Sequence, residues 1–307
     1  MMKKPRILCI GMPVRDLTFH VQGLPKRGFK IGAERFEEIS GGNAFNAAVA
    51  ISRLGGGAAF CGPMGDAGET SSRYIFDKAT ELGIAMQDIV HMPGLVTPIS
   101  TVMIDPGGER TIITFRDPEL WKVRLPEADR LLNNCDAILA ESRCAAFCTS
   151  LCAEARRRGI PVVIDVDSAM SMREGLLAAS SHLIFSSEAL QATADIADDA
   201  AALQKLAKVT PSFLAGTRGS QGTVWLDPKG GGLRQTAAFP VHTVDTLGAG
   251  DVFHGAFVLA MTENQDLEGA LRFASAAAAI KCTRFGGAFA CPQRAEVEAF
   301  FERGGSN

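Results

Sequence analysis

The sequence predicts an α/β fold, with a central, mostly parallel sheet flanked by helices and a small β-sheet beside it. Three observations carry that expectation. Short apolar runs recur between Arg6 and Leu226, separated by helix-compatible stretches, the pattern of parallel strands joined by covering helices. Residues at about 17–39 and 96–116 are instead β-rich around turn chemistry, which sets them apart as the small sheet. At 307 residues, 47% of them hydrophobic, the chain suffices for one large domain, residues 1–307, with a substantial core.

Bulk properties remove several function classes. A net charge of −3 gives no basis for a nucleic-acid or anionic-membrane partner. The basic start precedes an apolar run, Ile7 to Ile10, too short for a signal-peptide core. No run approaches the roughly 20 apolar residues of a membrane span, so the expected location is cytoplasmic. Eight cysteines in a chain this long do not read as a disulfide framework. Cys144, Cys148 and Cys152 would share one helical face, but without paired zinc-like spacing they read as packed apolar side chains.

In chain order, Arg6 to Gly11 is a buried strand ended by glycine, and Asp16 lies just beyond it, at the sheet edge where ligands sit in open parallel sheets. Leu17 to Val21 and residues 30–39 are strands of the small sheet, broken by Gly23-Leu24-Pro25. Ser40-Gly41-Gly42-Asn43-Ala44-Phe45-Asn46 opens a helix that runs through Leu54, and its two glycines permit close approach by a ligand. Ala58 to Gly68 is a strand and loop in which Asp66 is suited to capping the following helix. Ile99 to Ile104 and Thr111 to Phe115 form a hairpin across Asp105-Pro106-Gly107-Gly108-Glu109. Strands follow at 136–140, 161–167, 182–185, 213–216 and 223–226, with helices over 150–158 and 198–208. Leu271 to Lys281 is a close-packed small-residue helix.

The stretch richest in chemistry is Asp245-Thr246-Leu247-Gly248-Ala249-Gly250-Asp251, followed by an apolar helical pattern. If a helix starts at about Asp251, its free amides and positive dipole end make an anion site beside a carboxylate. Such a carboxylate can take a proton from a hydroxyl while the amides hold phosphate charge, which is what phosphoryl transfer to an alcohol requires. The plainer reading is that Asp251 N-caps the helix and the glycines only turn the chain. No Gly-x-x-x-x-Gly-Lys-Ser/Thr occurs, which excludes a P-loop, and the first strand lacks Gly-x-Gly-x-x-Gly.

Asp-Thr-x-Gly-Ala-Gly-Asp followed by x-x-x-Gly-Ala resembles the second signature of the ribokinase-like (PfkB) carbohydrate kinases. The opening Gly-x-x-x-x-Asp, the Gly-Gly-x-x-x-Asn of Gly41, Gly42 and Asn46, and the Gly62 to Gly68 loop extend the resemblance over nearly the whole chain. It implies ATP and Mg2+ and a sugar substrate. Asp251 would be the base, with Gly248, Ala249 and Gly250 as the anion hole. Asp16, Gly41, Gly42, Asn43 and Asn46 would contact sugar, although Asn43 stands where ribokinase has Lys. Thr217-Arg218-Gly219-Ser220-Gln221-Gly222, otherwise a polar turn, resembles the family's nucleotide loop and marks Thr217, Gly219 and Gly222 as ATP contacts. The segment around 271–287 resembles the adenine-pocket wall, whose loops bind a monovalent cation such as K+ in relatives. The small sheet would be a lid that keeps water from the reaction, and its exposed face makes a homodimer reasonable.

Two departures matter. The family's Asn-x-x-Glu appears as Ser186-Ser187-Glu188-Ala189, leaving Ser186 in the Asn place and Glu188 either to reach a metal through water or only to begin the next helix. Within the family the chain looks closest to sulfofructose kinases, in which an arginine at the place of Arg143 grips the sulfonate, but Thr114 replaces an expected lid asparagine. Lys30 or Arg116 would supplement that charge. A surface or salt-bridged Arg143 remains the alternative, as do a neutral-sugar or nucleoside substrate and a non-catalytic sugar sensor.

Overall fold

The computed structural model describes residues 4–107, 109–171 and 175–304. Its strands, in chain order, are β1 Arg6–Ile10, β2 Val14–His20, β3 Arg35–Gly41, β4 Gly57–Met64, β5 Ala85–His91, β6 Ile99–Ile104, β7 Arg110–Phe115, β8 Ala137–Glu141, β9 Val162–Val166, β10 His182–Ser186, β11 Phe213–Thr217, β12 Thr223–Leu226 and β13 Leu233–Thr236. The α-helices are α1 Asn43–Arg53, α2 Thr70–Glu81, α3 Ala128–Leu132, α4 Ala145–Arg157, α5 Gly175–Ala178, α6 Ser187–Ala194, α7 Asp199–Leu206, α8 Ala249–Thr262, α9 Leu267–Cys282 and α10 Arg294–Glu302.

Nine strands form the large sheet, in the order β13-β12-β11-β10-β9-β8-β1-β4-β5. From β11 to β5 every pairing is parallel, and β12 and β13 are antiparallel to their neighbours. A parallel sheet covered on both faces needs strands that are apolar throughout rather than alternating. β1 shows why: Ile7 and Cys9 enter one core with α1, α8 and α9, while Leu8 and Ile10 enter the other with α4, α6 and α7. The smaller sheet has the order β3-β2-β6-β7. Ile99 to Phe115 pairs as the expected antiparallel hairpin, although Gly108 of its link lies outside the described residues.

Several boundaries differ from the sequence reading. α8 starts at Ala249, two residues before Asp251, because Gly248 takes φ 73° at the N-cap, where a side chain would be strained. α4 starts at Ala145, ahead of residue 150, through a short 3-10 turn. β2 starts at Val14, ahead of Leu17, so Asp16 lies beyond β1 but within a strand, paired with Ser100 and Ile39. Asp66 does not cap α2: its Oδ1 accepts the Gly68 amide at 2.9 Å, and the N-cap is Glu69. β5, whose polar residues interrupt the apolar pattern, and the four-residue edge strand β13 carry too little hydrophobic periodicity to be read in advance.

Candidate functional site

The C-terminal ends of β8 and β9 and the N-termini of α1 and α8 bring the chemistry together. Asp251 is the third residue of α8, past a Gly248 N-cap that has no side-chain cap, so the plain capping reading of Asp251 fails. The Ala249 amide already donates to Thr246 O at 3.2 Å, while the amides of Gly248 and Gly250 have no acceptor among the described residues. Two of the three expected anion-hole donors are therefore free, beside a helix N-terminus that favours negative charge.

Asp251 is fixed by Asn46, whose Nδ2 donates to its Oδ2 at 2.7 Å. Burial, reinforced by the nearby Asp165 charge, pushes Asp251 up to about 7, against the Asn46 hydrogen bond and the His254 charge. A carboxylate titrating there can take up a proton at neutral pH.

Asn43 Nδ2 bridges Asp165 Oδ2 at 3.1 Å and Asp167 Oδ2 at 2.9 Å, at the end of β9. Arg143, in the turn after β8, holds Asp167 from two nitrogens, Nε at 3.0 Å and a terminal nitrogen at 2.5 Å. Its side chain stays 42% exposed, so the other guanidinium edge faces outward. The salt-bridged alternative for Arg143 is thus realised, with donors left over.

Asp16, Gly41 and Gly42 meet at the junction with the small sheet. A Cβ on Gly41 would lie 2.0 Å from Asp16 Oδ2, and one on Gly42, at φ 95°, would lie 2.2 Å from Met12 O. Burial raises Asp16 to about 6, opposed by Ser100 and Arg116. On the other side, Ser186 and Thr217 are register partners at the ends of β10 and β11. Ser186 Oγ caps α6 by accepting the Ala189 amide at 3.1 Å. Gly219 and Gly222 close the turn after β11, with Gly222 N donating to Gly219 O at 3.0 Å. Glu188 is exposed in the first turn of α6, with no partner among the described residues.

Sequence reasoning missed four groups. Glu141 ends β8 buried, accepts the Ala44 amide at 2.8 Å, and is raised to about 8 by burial. Asp165 is buried and Asp167 half-buried at the end of β9. His254, also buried, places Nδ1 2.7 Å from Gly250 O and Nε2 3.5 Å from Asp165 Oδ1. The available signal was an acid closing an otherwise apolar strand run, as in Ile164-Asp165 and Ala140-Glu141, since a buried carboxylate requires partners.

A partly buried carboxylate, oriented by an amide and set beside free helix-terminal N–H groups, has the parts that phosphoryl transfer to an alcohol requires. Residues 4–294 match the family described as pfkB family carbohydrate kinase. The chain is 25% identical over 298 residues to a ribokinase of Bacillus subtilis, covering 95% of this chain and 98% of the relative. It is 27% identical to a fructokinase-1 of Oryza sativa subsp. japonica, covering 88% of this chain and 90% of the relative. A solved structure from Agrobacterium tumefaciens, assigned as a ribokinase, superposes with TM-score 0.92 at 33% identity over 98% of both chains. The chain belongs to the pfkB family of carbohydrate kinases, which phosphorylate sugars from ATP. Among the described residues no helix is long and apolar enough to cross a membrane.

Proposed function

We propose that this kinase phosphorylates an anionic ketose, with sulfofructose as the leading candidate. The sugar's primary hydroxyl loses its proton to Asp251 as its oxygen bonds to the γ-phosphorus of ATP. The bond from that phosphorus to the bridging oxygen breaks, and ADP leaves. The amides of Gly248, Ala249 and Gly250 hold the charge that develops, with Ala249 releasing its weak bond to Thr246. Asp16, Gly41, Gly42, Asn43 and Asn46 position the sugar. Thr217, Gly219, Gly222 and Ser186 hold the nucleotide. The unpartnered, exposed Glu188 carboxylate suits water-mediated contact with Mg2+, which when bound neutralises phosphate charge.

The observation that carries the catalytic reading is Asp251, held by Asn46 beside free amides. The anionic preference rests on Arg143, whose outward guanidinium edge offers N–H donors of the fork geometry that acidic oxygens favour. The small sheet acts as a lid over the sugar, a role supported by Asp16 on β2 and by the run of β3 into Gly41. The outer strand β7 exposes Ile112, Ile113 and Phe115, and an apolar edge of this kind favours pairing with a second copy into a homodimer. Sedimentation velocity over a range of concentrations checks it, and a monomer throughout removes that part.

ADP release tests the substrate proposal. Pure protein with MgATP is assayed against fructose, sulfofructose, fructose phosphates, ribose, 2-keto-3-deoxygluconate and adenosine, with Arg143→Ala alongside. Turnover on an anionic ketose that collapses in the variant is the expected outcome. Turnover on a neutral sugar, unchanged in the variant, removes the anion clamp and favours the salt-bridged role of Arg143. Sugar binding by calorimetry without ADP release makes the chain a sensor.

A further inference from the structure

The family resemblance implies a monovalent cation in the loops that follow α9, and the residues there do not fit one. Asp245 opens the turn that becomes the anion hole. Its Oδ1 accepts the Leu247 amide at 2.8 Å, and its Oδ2 accepts the Gly287 amide at 3.2 Å. Lys281 reaches the same residue from α9, donating to Asp245 O at 2.7 Å and to Oδ2 at 3.0 Å. The lysine side chain is 0% exposed. The oxygens that a cation would use at this residue are therefore already held by a fixed ammonium and two amides.

The junction is tied on every side. The amides of Val244 and Asp245 donate to Cys282 O at 2.8 and 3.1 Å, anchoring the approach to the turn on the end of α9. A Cβ on Gly248 would lie 2.9 Å from the Ala288 amide nitrogen, so the anion-hole turn rests directly on the 287–290 turn. Burial alone would raise the Asp245 carboxyl, yet the Leu247 amide, the Lys281 ammonium and the Gly287 amide together hold it below its ordinary value; burial lowers Lys281, and the Asp245 charge and hydrogen bond oppose that fall. A buried lysine is costly unless an opposite charge and acceptors meet it. This one meets both at the residue from which the Gly248–Gly250 turn is built.

We propose that the Lys281 ammonium is a built-in cation that positions the anion-hole turn, so that this kinase works without a bound monovalent ion. Lys281 is a positioning residue, acting on Gly248 and Gly250 through Asp245. The turnover arm of the test rests on the kinase reading, and the melting arm does not.

The experiment compares potassium, sodium and tetramethylammonium chlorides at equal ionic strength, using thermal unfolding and ADP release for the wild-type chain and Lys281→Ala. The wild-type melting temperature and turnover should be the same in all three salts. In tetramethylammonium, Lys281→Ala should melt lower and turn over on the order of a hundredfold more slowly, the cost of a misplaced catalytic group. Potassium, small enough to enter the space left by the lysine head, should restore part of both. A wild-type chain that potassium stabilises or activates several-fold overturns the proposal, whether or not the variant folds. A folded Lys281→Ala chain that melts and turns over like the wild type in tetramethylammonium, or that potassium fails to stabilise, overturns it as well. Loss of all wild-type turnover would instead count against the kinase reading, and the melting comparison would stand unaffected.

Discussion

On the sugar side of the site, Asn43, Asn46, Asp165, Asp167 and Asp251 are joined by side-chain hydrogen bonds spanning 122 to 205 residues of sequence. On the proposed nucleotide side, Ser186, Thr217, Gly219 and Gly222 are held by one strand pairing, one helix cap and one turn. The first arrangement exists only in the completed fold. Its cost is several carboxylates facing one another, relieved by two asparagines, Arg143 and His254. The second arrangement is mostly main chain, so side-chain change should disturb it less.

Variants should therefore separate the two sides. The largest effect on stability is expected for Asn43→Ala, which leaves Asp165 and Asp167 without their shared donor; stability should fall by about 1–3 kcal/mol, with a raised sugar KM. Denaturant unfolding and sugar titration measure both, and an unchanged midpoint would mean that the bridge is not structural.

The pH profile sharpens the comparison further. Asp251 must be ionised to accept a proton, and its folded value of about 7 places the acid limb of kcat/KM near neutrality. His254 works against that rise, so His254→Asn should move the limb upward, by up to roughly one unit. A downward shift would contradict the charge arrangement. Stability runs the opposite way: because the folded value of Asp251 is raised, its contribution is fully present below the ordinary carboxylate range and is lost as pH rises through about 7.

The smallest effect belongs to the nucleotide side. Thr217 Oγ1 donates to Phe185 O at 3.2 Å, so Thr217→Val removes one neutral hydrogen bond. A KM for ATP raised only severalfold is expected, about 1 kcal/mol, with sugar KM unchanged. A loss as large as that from Asn43→Ala would erase the contrast.

The same contrast decides what the sequence revealed. The parallel sheet was legible because runs such as Ile7 to Ile10 and Val162 to Ile164 are apolar on both faces. The site residues that sit in contiguous signatures, Gly248 to Asp251 and Gly41 to Asn46, were legible too. Their partners were not. Nothing local to Asn46 says that its amide faces Asp251, and nothing near Asp167 points to Arg143, because those pairings depend on strand order. β2 reads from Leu17 rather than Val14 because Arg15 and Asp16 interrupt the apolar pattern at its start. Lys281 read as one residue of a packed helix, since its partner Asp245 lies 36 positions away.

The most direct measurement is Asp251→Asn, assayed for ADP release and, by calorimetry, for sugar binding. If Asp251 is the base, the variant binds sugar nearly as tightly as the wild type and loses about 10²–10⁴-fold in kcat. A variant that turns over at close to the wild-type rate would contradict the assignment.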